Sequence, residues 1–121
     1  MLNVDSIFQK INENCDIKEV RTAIADLIEY HLQMYKGSLG YWEKAHFAHA
    51  IHTLAWNINS RNQPTYTMLR LCLVDIEKAL VPANQRNENY TLRDEHFEAL
   101  TYEELIQDIN WLRQKPFPAH S

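Results

Sequence analysis

The stretch that most constrains this chain is Tyr41 to Asn59, YWEKAHFAHAIHTLAWNIN. Read at about 100° per residue, it is one long helix with two apolar sides. Phe47, Ile51, Leu54 and Ile58 recur at the i, i+4, i+7, i+11 spacing of a single face. Nearly opposite, Trp42, His49 and Trp56 follow a heptad stripe flanked by Ala45, His46 and His52. A helix that is apolar nearly all round belongs in the interior of its domain. The other segments must therefore supply cover on both of its sides.

Those segments also read as helices. With two glycines and four prolines in 121 residues, the chain is poor in turn formers and rich in Ala, Leu, Glu, Gln and Asn. That composition favours helices over a β-sandwich. A first helix is expected from Val4 to Glu13 with Val4, Ile7, Phe8 and Ile11 as its apolar stripe, and Asn3 or Asp5 can cap it. Asn12, Asn14 and Cys15 break it. Asp16 with Glu19 has the spacing of a capping box opening a second helix, whose face runs Ile17, Val20, Ile24, Leu27, Ile28, His31, Tyr35. Gly37 ends that helix at the position where a left-handed residue is favoured.

Pro64 suits the first turn of a fourth helix that reaches Val81 before Pro82 stops it. Leu69, Cys72, Leu73, Ile76 and Leu80 form its main face, while Met68, Leu71, Val74 and Val81 spread apolar area around the rest. Pro82 to Asn89 reads as a loop. A short helix from Leu92 to Leu100 follows, then a last one opened by the Thr101/Glu104 capping box and running to about Gln114. There Tyr102, Leu105, Ile109 and Leu112 point inward. The expectation is an all-α, compact single-domain bundle of five or six helices over residues 1–114, built about the apolar helix near 40–59. Residues 115–121, with two prolines, read as an extended tail.

Charge narrows the function classes. The formal net charge is −4, and no basic stripe is present to neutralise phosphates, which argues against direct nucleic-acid binding. Charge is also segregated. Between Glu88 and Asp108 stand seven acids (Glu88, Asp94, Glu95, Glu98, Glu103, Glu104, Asp108) against one base, Arg93. A segment of that sign steers basic partners. No apolar run approaches the roughly 20 residues of a membrane span. The start MLNVDSIFQK lacks the basic and apolar regions of a signal peptide, so the expected setting is cytoplasmic. In a reducing compartment Cys15 and Cys72 are not expected to pair.

Two metal-binding patterns are only half present. Glu43-x-x-His46 matches one half of the carboxylate-bridged di-metal signature of helical bundles, but no second ExxH occurs. His46, His49 and His52, three residues apart, fan across about 120° of helix, so a site would need a ligand from elsewhere, with His31 the candidate. Glu95-His-Phe-Glu98 fits the first of two acidic helix motifs with which helical nucleotide pyrophosphatases hold magnesium, whereas Glu104 to Asp108 misses the second by one residue. The plainer reading makes His31 a core histidine and the acids solvated helix faces favoured near helix N-termini. No GxSxG, HExxH or glycine-rich phosphate loop occurs.

The expected function is therefore binding rather than chemistry, with no cofactor. The chain reads as a small acidic protein that covers a basic site on a nuclease or nucleic-acid-binding protein, in the manner of an immunity protein or inhibitor. Glu95, Glu98, Glu103, Glu104 and Asp108 are the expected charged contacts. Trp42, Trp56 and Trp111 are the expected aromatic anchors wherever another helix does not bury them. The alternatives are a metal-dependent helical enzyme, a nucleotide hydrolase or di-metal type, using Glu43, His46, His49 or His31 or else the Glu95/Glu98/Asp108 set, and a subunit that dimerises through its Trp42/Trp56 side.

Overall fold

Helix α1, Val4–Lys10, begins at Asn3, whose side chain accepts from Ser6 N at 2.8 Å while Ser6 Oγ accepts from Asn3 N at 3.2 Å. This reciprocal box leaves two fewer orphan amides at the helix start. The helix ends earlier than its apolar stripe suggests. Asn12 takes the backbone amide of Asn14 at 2.8 Å, offering the chain a turn in place of another helical bond. Ile11 adopts an extended conformation and stays buried, and its carbonyl accepts from Arg70 Nη2 at 3.0 Å. The computed structural model describes residues 3–12, 14–58, 64–86 and 95–114.

Helix α2, Ile17–Met34, is capped by Asp16, which accepts from the amides of Lys18 and Glu19 at 3.0 and 3.3 Å. Its buried residues are Val20, Arg21, Ile24, Ala25, Leu27, Ile28 and Leu32, so Arg21, Ala25 and Leu32 join the expected stripe while Ile17, His31 and Tyr35 are only partly buried. Gly37 follows with φ of +87°, and a Cβ there would touch nothing, so backbone conformation rather than space selects glycine. Helix α3, Tyr41–Ile58, and helix α4, Pro64–Ala79, lie side by side. Leu80 N shares the Ile76 and Glu77 carbonyls, and the chain passes into a short 3-10 turn, Ala83–Gln85. Helix α5 is a single turn, Glu95–Glu98. Helix α6, Tyr102–Gln114, starts on the expected box, with Thr101 N bonding Glu104 Oε1 at 3.0 Å and Glu104 N bonding Thr101 Oγ1 at 3.1 Å.

Every described element is helical, and the expected all-α fold is the observed one. Helix α3 packs against α2, α4, α5 and α6, while α1 packs on α2 and α4. The core is filled by Ile7, Ile24, Leu27, Ile28 and Leu32 from α1 and α2, Phe47 and Leu54 from α3, Leu69, Leu73 and Ile76 from α4, and Leu105 and Ile109 from α6. Full burial of each such side chain is worth about 1.5–3 kcal/mol, which is what holds elements of moderate length together. On α6, Arg113 reaches Asp26 and Glu29 of α2 at 2.8 and 2.6 Å, tying the last helix to the second. Helix α4 is less enclosed than its apolar wraparound suggests, since Leu71 and Val74 are exposed. Among the described residues no helix is long and apolar enough to cross a membrane. Glu13, the Asn59–Gln63 connection, residues 87–89 of the Pro82–Asn89 loop, the start of the expected Leu92–Leu100 helix and the 115–121 tail lie outside the described residues.

Candidate functional site

The two apolar sides of α3 meet different fates. Phe47, Ile51 and Leu54 are buried as their spacing requires, while the side chain of Ile58 is outside the described residues. The Trp/His side divides along its length. At its N-terminal end Trp42 is only 5% exposed, and its indole Nε1–H donates to Lys78 O at 2.6 Å. Arg86 lies over the indole, 5.1 Å from the ring centroid, donates from Nε to Val81 O at 2.9 Å, and pairs with Glu43 at 3.0 Å. The carbonyls at the end of α4 have no intrahelical partners. Trp42 and Arg86 provide them, so the aromatic residue expected as a surface anchor is instead a buried clamp on the α4 C-terminus. That corrects the expectation for Trp42: its polar edge and its ring are both spent inside the molecule.

One turn further on, His46 and His49 converge on a single carboxylate. Asp75 of α4 is 6% exposed, with Oδ1 3.3 Å from His46 Nδ1 and Oδ2 2.5 Å from His49 Nδ1. Each imidazole thus sets its Nδ1 within hydrogen-bonding distance of one carboxylate oxygen. His46 is buried, and its ring stands 4.9 Å from that of Trp42. Sequence reasoning missed Asp75 and Arg86. Asp75 had a signal: it is an acid three residues after Cys72 and beside Ile76, on the face that those two bury. Arg86 had none, because its partner Glu43 stands 43 residues away.

Each candidate ligand has a neighbour, while Glu43 Oε2 and His46 Nε2 are buried with no hydrogen-bond partner among the described residues. Glu43 holds Arg86, and His46 and His49 hold Asp75. His31, half-buried on α2, lies edge-on to Tyr30 at 5.2 Å, and burial lowers its pKa from the ordinary histidine value. Among the described residues no three His, Cys, Asp or Glu side chains come together in a metal-ligating arrangement. The magnesium pattern rests on Glu95 and Glu98, whose side chains lie outside the described residues.

The C-terminal end of the Trp/His side opens onto a cleft of about 200 Å³ between α3, α5 and α6. Ala48, Ile51 and Ala55 of α3 and Leu105 and Leu112 of α6 form its apolar floor. His52, His96, Phe97, Asp108 and Trp111 stand around it. The spacing of Leu105, Asp108 and Leu112 puts all three on one side of α6, and Trp111, three residues beyond Asp108, shares that side. Leu105 and Leu112 are sealed, Asp108 is exposed and Trp111 is 49% exposed, so the cleft grades from an oily base to an acidic, aromatic lip. Phe97 is its hub, with its ring 6.1, 5.9 and 5.6 Å from those of His49, His52 and His96. The Asp108 carboxyl is held above the usual aspartate range, first by partial burial and then by the charge of Glu104.

The cleft thus brings together two of the expected contacts, Asp108 and Trp111. Glu103 is exposed on the same helix, and Glu104 is exposed but committed to the box with Thr101. The Trp56 side chain lies outside the described residues. No protein-family model, curated protein or solved structure matches the chain. Chemically, the lining offers two imidazoles, a carboxylate and two aromatic faces, with no Lys or Arg among the described lining residues.

Proposed function

We propose that this protein acts by binding a protein partner with a basic surface, through the face formed by α5, α6 and the exposed end of the α3 histidine stripe. The observation that carries the reading is the pairing of exposed Asp108 with half-exposed Trp111 at the mouth of an apolar cleft. Acids without a pocket are usually a solvated helix face. An acid at the rim of an apolar recess beside a half-exposed Trp supplies the hydrophobic centre and polar rim of a recognition site. The segment from Glu88 to Asp108, with seven acids against one base, adds a long-range field that favours a basic partner and speeds encounter. A basic cleft on a nuclease or nucleic-acid-binding protein is the natural complement, and the role is that of an immunity protein or inhibitor. The setting we propose is cytoplasmic, which suits Cys15 and Cys72 as free thiols.

The test is the double variant Glu103→Lys with Asp108→Lys, which spares Glu104 because that residue caps α6. Capture from the native host's extract, read by mass spectrometry, is expected to yield a basic partner with wild type and to lose it with the double variant. Affinity for the purified partner should fall as salt rises. An unchanged bound set with the double variant, at unchanged helicity, rules the reading out.

A further inference from the structure

We propose that the cleft between α3, α5 and α6 is a receptor for one arginine side chain of the partner, with Asp108 as its counter-ion and Trp111 and Phe97 as stacking surfaces. The inference rests on the protein-binding reading above and names the chemistry that the same site selects.

Four kinds of occupant can be weighed. An anion would face Asp108 within the most acidic segment of the chain. An apolar side chain would suit Ile51, Leu105 and Leu112 but would leave the Asp108 carboxylate further desolvated with no compensating charge, which is costly. A lysine ammonium satisfies the charge, yet it is a compact and strongly hydrated ion that enters an apolar recess reluctantly. An arginine meets every part of the lining. Its methylene stem lies along the apolar floor, as long cationic side chains do. Its planar, weakly hydrated guanidinium stacks on aromatic faces and bonds a carboxylate in a two-pronged fork. Phe97 and Trp111 supply the faces, and Asp108 supplies the carboxylate. The upward shift of the Asp108 carboxyl, from partial burial and then Glu104, fits a group that gains from a cation and has no cationic partner among the described residues.

The experiment uses the full chain and N-acetyl-arginine N-methylamide as the probe, followed by the resonances of the Trp111 indole and of the backbone amides of α5 and α6. The arginine probe is expected to saturate at millimolar concentration, with shifts concentrated at Trp111, Asp108 and Phe97. The citrulline analogue, which keeps the shape and loses the charge, is expected to bind at least about tenfold more weakly. The lysine analogue should fall between them. Asp108→Asn should remove the preference for arginine over citrulline, and Trp111→Ala should weaken arginine binding while leaving the fold intact by circular dichroism. Equal binding of arginine and citrulline, tighter binding of lysine, or shifts away from the cleft would overturn the proposal. These outcomes are separable from those of the partner experiment. If the probe fails while the Glu103/Asp108 double variant still loses its basic partner, the acidic face stands and the arginine pocket falls. If the probe binds while partner capture is indifferent to that variant, the pocket stands and the proposed interface falls.

Discussion

Two regions of α3 use the same residue types to opposite ends. Near its N-terminus, Trp42, Glu43, His46 and His49 meet Asp75, Arg86 and the end of α4 in contacts closed within the molecule, with Glu43 Oε2 and His46 Nε2 buried and without a hydrogen-bond partner among the described residues. Near its C-terminus, His52 joins His96, Phe97, Asp108 and Trp111 around a cleft open to water. A Trp, an acid and histidines occur in both, so composition cannot separate scaffold from site. What separates them is burial. The Asp75 carboxylate is shut inside with an imidazole at each oxygen, whereas Asp108, beside Glu104 and half-exposed Trp111, faces water, where the proposed partner can reach it.

The sharpest way to break this contrast is to truncate the two tryptophans in parallel. Trp42→Ala removes a buried ring, its bond to Lys78 O and the surface beneath Arg86, and should cost about 4 kcal/mol in urea denaturation. Trp111→Ala should cost less than about 0.5 kcal/mol, being at the surface. It should nevertheless weaken partner binding at least about tenfold, as loss of an aromatic anchor does. Similar stability losses at both positions would erase the distinction.

A second test strikes the other carboxylate. Asp75→Ala strips His46 and His49 of their common acceptor inside the protein and is expected to cost about 3 kcal/mol. At temperatures where the variant remains folded, affinity for a basic partner should be unchanged. A binding defect equal to that of the Asp108 variants would mean that the two regions act as one.

The smallest effect concerns Asp108 itself. Its pKa is raised in the folded state by partial burial and then by Glu104. The native state therefore binds a proton more readily than the unfolded chain does, and ionised Asp108 works against folding at neutral pH. Asp108→Asn should accordingly raise Tm slightly at neutral pH. The gain should vanish on acidification below the usual aspartate range, where both states are protonated. A lower Tm for Asp108→Asn at neutral pH would show that the carboxylate already has a structural partner. Stability gained where binding is lost is the signature expected of a functional residue.

Much of the fold was legible residue by residue. Asn3, Asp16 and the Thr101/Glu104 pair announce helix starts because capping acts over two or three residues. Gly37 announces a helix end because its positive φ is a local demand. Leu105, Ile109 and Leu112 announce an inward face because the helical period is built into their spacing. The site was legible only in part: the acidic segment and Trp111 stood out, but the cleft beside them did not. Helix α1 was drawn too long because Ile11 continues the apolar stripe while leaving the helix, and periodicity cannot tell a buried helical residue from a buried extended one.

What the sequence alone determined is the set of helices, their buried stripes and the gathering of negative charge between Glu88 and Asp108. All of these depend on interactions within a turn or two, or on counting charges. Only the tertiary structure decided that Trp42 is sealed beneath Arg86, that Asp75 joins two histidines of another helix, and that Asp108 and Trp111 share a cleft with α3 and α5. The reason is physical. A side chain's partner across the bundle is chosen by how the helices dock, and nothing in its own neighbourhood of the chain records that choice.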